Sequence, residues 1–566
     1  MRLTTHGIAR WLLLPVAVLV AGLAAPVPLA NAQPAEPVTL NLAFTQDIAA
    51  LDPTRLTPFE FDYDARDVVE NLFVGLTAYD PDGASIEPAI ATDWEISEDG
   101  LRWTFHLRDD VYWVRHNPIT GATYALRPVT ADDFVFSIQR VCNPLTASPY
   151  FTSIFVIDGC QVVYRTDPEF MTADFAAERV RVRALDDQTV EYTLLFPAAY
   201  FLTFTAMPEF RPLPREFVAH IDNWAETGSL VTNGPFVVGE WVRNQQLVLL
   251  RNPYWPDDWT GNVERVVIGF ADPATALSQA NAGQLDRAPV PSGAPAPGAV
   301  AGVMRPSVVM LGFSSERAPM DQRGIRQALA WSIDREAMVA QILPGEGVAM
   351  THFTPPGMIG APPLDGVGAG YNPDAAREAF AVAGHAQCGA IPEQIELMVR
   401  DDARSQAIAQ FLVESWQREL GCNPGLFIIT PASFRVVLAN ARDTFSDAPD
   451  YRRPHIWLAS WTADYYDANN WLSDALHCRY GTFSLGAPCD ETDALIDAAG
   501  VQYDPAERTR MVAEIEDRFF GVVGKYPIVP LYVVVQPTVQ QPWLTAGALG
   551  PARYDRWVID TAMRGR

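Results

Sequence analysis

An apolar run, His455-Ile-Trp-Leu-Ala-Ser460, leads straight into Trp461, and three residues later an acid, Asp464, is flanked by aromatics at Tyr465 and Tyr466. An acid beside aromatics at the end of a strand is unfavourable to bury unless a cation or hydrogen-bond donors meet it. The pattern suits a carboxylate that grips an ammonium group, with Trp461 and Tyr465 as walls. Other acids carry weaker chemistry. Asp109/Asp110 and Asp401/Asp402 fall at turn or helix-start positions, and Asp132/Asp133 follow Thr130, where early acids suit a helix dipole. The chain has neither G-x-S-x-G nor H-E-x-x-H, so the motifs of two hydrolase classes are missing and no enzyme is expected. The remaining hydrolase reading is a glycosidase built on acidic pairs and tryptophans. No phosphate-cradling G-x-x-x-x-G-K-[ST] occurs, and Gly366-Val-Gly-Ala-Gly370 lies in a Pro-rich stretch. The histidines form no ligand-spaced cluster, so neither a metal nor a cofactor is expected.

Six cysteines fall into three local groups, Cys142/Cys160, Cys388/Cys422 and Cys478/Cys489. Six cysteines allow about 15 pairings. Closure between nearest neighbours is expected, because it staples short segments. No C-x-x-C spacing supports zinc.

These residues need an exported, folded frame. Arg2 and Arg10, an apolar stretch from Trp11 to Ala25 and Ala30-Asn31-Ala32 describe a signal peptide over 1–32. The apolar stretch is short of the ~20 residues that span a bilayer. No cysteine precedes Cys142, which argues against a lipid anchor, and a freely diffusing protein of this kind suits a periplasm. The remaining 33–566 are enough for two or three domains. The formal charge of −27 becomes −29 without the two leader arginines. That balance argues against nucleic acid or an anionic membrane as partner. Lys525 is the only lysine, so a ligand carboxylate must be met by Arg, His or backbone amides.

Strands are expected at Val38–Phe44, Trp103–Leu107, Phe236–Val242, Gln246–Arg251, Val308–Phe313 and Ile528–Val535. Helices are expected at Asp64–Leu76, from Thr130, at Asp321–Leu343 as one long element, at Asp374–Val382, and at Pro505–Phe520. Another ends at Gly421. Ala288–Pro306, rich in Pro, Gly and Ala, reads as an irregular connector. Tyr254–Trp259 reads as a packed aromatic loop. Strands and helices interleave, giving an α/β or mixed α+β class.

Nine blocks in register resemble the bacterial extracellular solute-binding proteins of family 5, the oligopeptide- and dipeptide-type receptors of ABC importers. They are Leu51-Asp-Pro53, Asn71–Leu76, Trp103–Arg108, Val129–Phe134, Thr232-Asn-Gly-Pro-Phe236, Arg323–Asp334, Thr354-Pro-Pro356, Trp461–Tyr465 and Pro527–Tyr532. The resemblance implies a two-lobed periplasmic-binding-protein fold with a hinge and an extra domain. Its divisions would be a discontinuous first lobe at 33–70, 195–305 and 528–566, an inserted domain at 71–194 and a second lobe at 306–527. It also implies a monomer that delivers a peptide or similar amine-bearing solute to an ABC permease complex, with an oligosaccharide as the alternative ligand. Carried over by motif, Asp464 would meet a peptide's α-ammonium, with Trp461 and Tyr465 beside it and Asn233, Gly234 and Phe313 as neighbouring surface. Two charged positions of the oligopeptide binders differ: the second acid is Thr57 here, and the arginine six residues before the motif aspartate is Leu458.

Overall fold

The computed structural model describes residues 36–565, apart from 57–62, 81–84, 150, 220–222, 227–229, 257–258, 295–299, 386–387, 392–393, 443–452, 484–486 and 548–550. The leader and Thr57 therefore lie outside the described residues. Ten strands form a continuous path: β1 (Thr39–Phe44), β2 (Phe236–Val242), β3 (Gln246–Arg251), β4 (Arg265–Phe270), β5 (Arg287–Pro289), β6 (Val300–Phe313), β7 (Ile395–Arg400), β8 (Phe427–Ala432), β9 (Ile456–Thr462) and β10 (Ile528–Gln540). Their order across the sheet is β2-β3-β4-β1-β5-β10-β6-β9-β7-β8.

Two cores occupy the two ends of this path. One gathers apolar side chains from 40–268 and 544–559, including Leu40, Val68, Phe105, Phe134 and Trp557. The other gathers Val308, Leu329, Leu412, Trp457, Ile515 and Val533, and a smaller cluster around Ala276, Ala288 and Val539 lies between them on the path. A four-stranded antiparallel sheet spanning Ala91–Thr193, with helix Ala131–Cys142 nearby in sequence, packs into the first core. Thr130 caps that helix in a capping box with Asp133.

The long strands β6 and β10 connect the lobes. They pair from Val300↔Val539 to Met304↔Val535, lose register, and resume at Val308↔Val533. Arg305, Pro306 and Ser307 occupy the irregularity, and Pro306 has no N–H to give a ladder. This bulge interrupts the ladder between the two strands.

A second connection joins the lobes through aromatic side chains. Tyr465 enters the first core against Phe204 (4.6 Å, edge-on) and Tyr200 (6.1 Å, stacked). Tyr79 enters the second core against Tyr466 (5.1 Å), and its hydroxyl donates to the Thr203 carbonyl. The Ala199 N–H donates to the Gly500 carbonyl at 2.8 Å.

Most expected elements form, with three differences. Helix α1 runs Tyr63–Leu72 and stops before Phe73, because Val74 is drawn into bonds with Asn233. The segment expected as one helix over Asp321–Leu343 is two, Arg323–Trp331 and Arg335–Ile342. Ser332 Oγ bonds back to the Ala328 carbonyl, and Asp334 caps the second helix by accepting from the Ala337 N–H. The expected connector Ala288–Pro306 contains the start of β6, because a partner strand, β10, supplies its ladder.

Candidate functional site

β9 is buried from Ile456 to Ala459, with Trp457 fully enclosed. One edge pairs along its length with β6, from Ser307↔Thr462 to Phe313↔Ile456. The other edge pairs with β7 only at Leu397↔Ile456 and Met398↔Trp457. Residues 458–462 therefore carry an edge with no strand on it among the described residues. Unpaired backbone donors and acceptors of this kind are a template for another extended chain. Leu458, Ala459, Ser460 and Thr462 line a cleft of about 640 Å3. Arg400, Arg404 and Phe434 line its second-lobe side, and Tyr63 and Arg305 complete it. Arg404 is held by Glu346 and Ser292.

The strand ends where the Ala463 N–H donates to the Pro306 carbonyl in the bulge (2.8 Å), and Asp464 follows. One side chain organises this corner. Asn470 Oδ1 accepts from Trp461 Nε1 (3.1 Å) and from the Asp464 N–H (3.3 Å), while its Nδ2 donates to Asp474 (3.0 Å). The Tyr465 hydroxyl donates to the same Asp474 oxygen (2.8 Å) and accepts from Asn469 Nδ2 (2.9 Å). Helix α2 (Ala468–Leu476) carries Asn469, Asn470 and Asp474 and is capped by Asp467. Asp467 is itself held by both Nη atoms of Arg508 at 2.7 and 2.6 Å.

The Asp464 carboxylate forms no ion pair among the described residues. Burial raises its pKa, and the charge of Arg66 and the Asn470 side chain oppose the rise. Arg66 is itself paired with Glu209 at 3.3 Å. Asp464 is thus a desolvated acid whose ionised form an arriving cation would stabilise. Asp474 is pushed up to about 7, first by burial and then by the nearby charge of Asp464, with the Tyr465 hydrogen bond opposing.

Trp461, Asp464 and Tyr465 are therefore brought together, with Trp461 half-buried edge-on to Phe483 (5.5 Å). Tyr465 is 2% exposed, its ring in the first core and its hydroxyl spent on Asp474. Asn233 is fully buried, with both amide ends bonded to the Val74 backbone. Gly234 lies against α1, where an added Cβ would sit 2.6 Å from the Leu72 carbonyl carbon. Phe313 is buried at the far end of β6, opposite Ile456. Sequence reasoning missed Asn470 and Asp474, although their spacing of four along α2 places both on one face beside the motif. It also missed Tyr63, Arg66 and Arg305, for which only the fold gives a signal.

The three cysteine pairs are disulfides: Cys142–Cys160, Cys388–Cys422 and Cys478–Cys489. His477 and Asp493 approach Cys478, but the disulfide leaves no thiolate there for a metal. A second cavity of about 560 Å3 opens beside the bulge and shares Tyr63 and Arg305 with the cleft. No helix among the described residues is long and apolar enough to cross a membrane.

Known proteins share this layout. The periplasmic oligopeptide-binding protein OppA of Salmonella typhimurium is 26% identical over 540 residues, covering 93% of this chain and 92% of that one. The probable deoxycholate-binding periplasmic protein YgiS of Escherichia coli is 28% identical over 516 residues, covering 86% and 87%. Among solved structures, the unliganded open form of the murein tripeptide binding protein MppA overlaps with a TM-score of 0.78 at 24% identity, over 93% of this chain and 98% of that one. Haemophilus influenzae OppA in complex with RPPGFSPFR overlaps with a TM-score of 0.62 at 23% identity, over 93% and 100%. Residues 85–483 match the family described as bacterial extracellular solute-binding proteins, family 5 Middle, and with its two-lobed, hinged fold this chain belongs to that family.

Proposed function

We propose that the chain is the extracytoplasmic receptor of an ABC importer and that it takes a peptide, or a similar amine-bearing solute, into the cleft along β9. One observation carries the reading: the open edge at 458–462 runs directly into Asp464, a half-buried, desolvated carboxylate with no ion-pair partner among the described residues. An extended peptide pairs there as an added strand, with its α-ammonium on Asp464 and Trp461 beside it. The names of the oligopeptide and murein peptide relatives support a peptide over an oligosaccharide.

Binding contacts both lobes, so ligand favours their closure about the bulge at Arg305–Ser307. The higher overlap with an unliganded open form supports reading the present arrangement as the open one. The divisions we propose are a first lobe of 33–70, 195–305 and 528–566, an inserted domain of 71–194 and a second lobe of 306–527; 71–194 shares the core of the first lobe, and Ile528–Val533 packs in that of the second. A cleavable leader over 1–32, without a lipid anchor, would release a periplasmic monomer that hands ligand to a membrane permease. The receptor leaves its ligand chemically unchanged.

The test is native mass spectrometry of the protein purified from its host without refolding. Co-purifying masses that fragment as peptides support the reading. Masses spaced by hexose units overturn it.

A further inference from the structure

Along one edge of β10 the partner changes from one lobe to the other. Residues 538–540 pair with β5, and the Val290 N–H donates to the Pro537 carbonyl at 2.9 Å. Residues 532–534 pair instead with Gly347–Ala349, and the Val535 N–H donates to the Glu346 carbonyl at 3.0 Å. The opposite edge of β10 loses its register with β6 at the same level, beside Arg305–Ser307. A cluster of polar side chains bridges the changeover.

Pro291–Ala294 is a tight turn: the Ala294 N–H donates to the Pro291 carbonyl at 3.0 Å, and Gly293 has φ +72°. The turn presents two donors to one carboxylate. Ser292 Oγ lies 3.1 and 3.0 Å from the two Glu346 oxygens, and the Gly293 N–H donates to Glu346 at 2.9 Å. Arg404 Nη2 completes the cluster by donating to both Glu346 and Ser292 Oγ. Val290 and Ala294 pack with Ala43 and Ala276, which ties the turn to the first-lobe side. The Glu346 N–H donates to the carbonyl of Leu343, and Arg404 opens the helix Ala403–Leu420; Leu343, Ile408 and Leu412 all pack in the second core.

Glu346 is 8% exposed, so its charge depends on these donors, one from its own lobe and two from the other. Arg404 also lines the β9 cleft, so the cluster shares a residue with the wall that a ligand meets. Turning one lobe against the other about the bulge carries Ser292 and Gly293 off Glu346, and hydrogen bonds weaken steeply as their angle opens. Contacts made in one arrangement and lost in another bias the equilibrium between the two by their own free energy.

We propose that Glu346, clasped by Ser292, Gly293 and Arg404, is a latch that holds the lobes in the open arrangement and that closure must release. The latch rests on the closure reading for the motion it opposes, and not on the identity of the ligand.

Single-molecule energy transfer on the full mature chain reads the separation of the lobes. The six cysteines are all in disulfides, so Ile119→Cys and Val382→Cys, exposed positions packed with the first and second lobes respectively, supply thiols for the dyes. Glu346→Gln keeps the volume and removes the charge, whereas Ser292→Ala removes the first-lobe hydroxyl and leaves the Glu346–Arg404 pair intact. Without ligand, the closed fraction should rise about five- to tenfold in Glu346→Gln and about twofold in Ser292→Ala. Trialanine, followed by calorimetry, should bind tighter by the same factors, because apparent affinity scales with the competent fraction. Thermal melts of both variants establish folding. A closed fraction equal to that of the wild type in both folded variants overturns the latch and leaves the peptide reading standing. Tighter trialanine binding by Glu346→Gln alone, at an unchanged closed fraction, traces to a freed Arg404 and also overturns the latch. A lowered closed fraction places the clasp in the closed state and overturns it too. A raised closed fraction in a chain that binds no peptide, neither co-purifying nor as trialanine, leaves the latch standing and overturns the peptide reading.

Discussion

Replacing Asp464 by Asn removes one charge from a corner that Asn470 otherwise holds rigid. The side chain keeps its volume and one acceptor oxygen, and the Asp464 N–H and Trp461 Nε1 keep their bonds to Asn470. An ammonium ~3 Å from the carboxylate gains about 5 kcal/mol of gross Coulomb energy at an effective dielectric near 20. Desolvation of both ions offsets most of that, and a hydrogen bond to a charged group nets about 1.5–3 kcal/mol. Free-amine peptides should therefore bind Asp464→Asn about 10- to 100-fold more weakly. Acetylating the probe's amino terminus should weaken wild-type binding similarly and leave the variant indifferent, so the two changes are non-additive. pH gives a second readout. Burial raises the Asp464 pKa, so free-amine affinity should fall on acidification at pH values above the usual carboxylate range. The acetylated probe should lack that fall. Calorimetry with trialanine and N-acetyl-trialanine, from pH 4 to 8, measures all three effects. Equal affinity of wild type and variant for trialanine would refute the ammonium assignment.

Asp474, pushed up to about 7 from an ordinary 3.8, holds a proton in the native state that the unfolded chain has already lost. Its contribution to stability is fully present below the unfolded value and fades as pH rises towards 7, at no more than about 1.4 kcal/mol per pH unit. Asp474→Asn should flatten that decline in urea unfolding between pH 5 and 8. Gly234→Ala should destabilise by about 2 kcal/mol or more, because its Cβ meets backbone of Leu72 and Asn71 that cannot swing aside, and a lowered thermal midpoint would show it. Replacing Cys388 and Cys422 together by Ser opens a loop of 34 residues and should cost about 4 kcal/mol in denaturant unfolding.

The local parts of the site are legible in sequence because they rest on local physics. An apolar run ending at an acid marks β9 and Asp464, and short spacings mark the disulfides. Thr130 and Gly421 mark helix ends for the same reason. The long-range parts are not legible. Tyr465 looks like a wall of the ligand site until its ring is found in the core of the other lobe. Asn233 and Gly234 look like surface beside a ligand, yet they clamp the segment 72–74, some 160 residues earlier in the chain. The start of β6 lies in a Pro- and Gly-rich stretch whose composition argues for a loop, and pairing with β10 overrides it.

Among the described residues the lobes meet at the bulge of β6 and β10, at the interlocked tyrosines 79 and 465–466, and where Ser292 and Gly293 bond to Glu346 and Arg404. Asp464 adjoins the first two: Ala463 bonds to Pro306 on one side, and Tyr465 is wedged between Tyr200 and Phe204 on the other. The Asp464 carboxylate is therefore tethered from both sides, while Arg400 and Phe434 line the cleft without sharing either tether. On the peptide reading, an amine would meet an acid already in place, and the rest of the ligand would meet the parts that closure brings in.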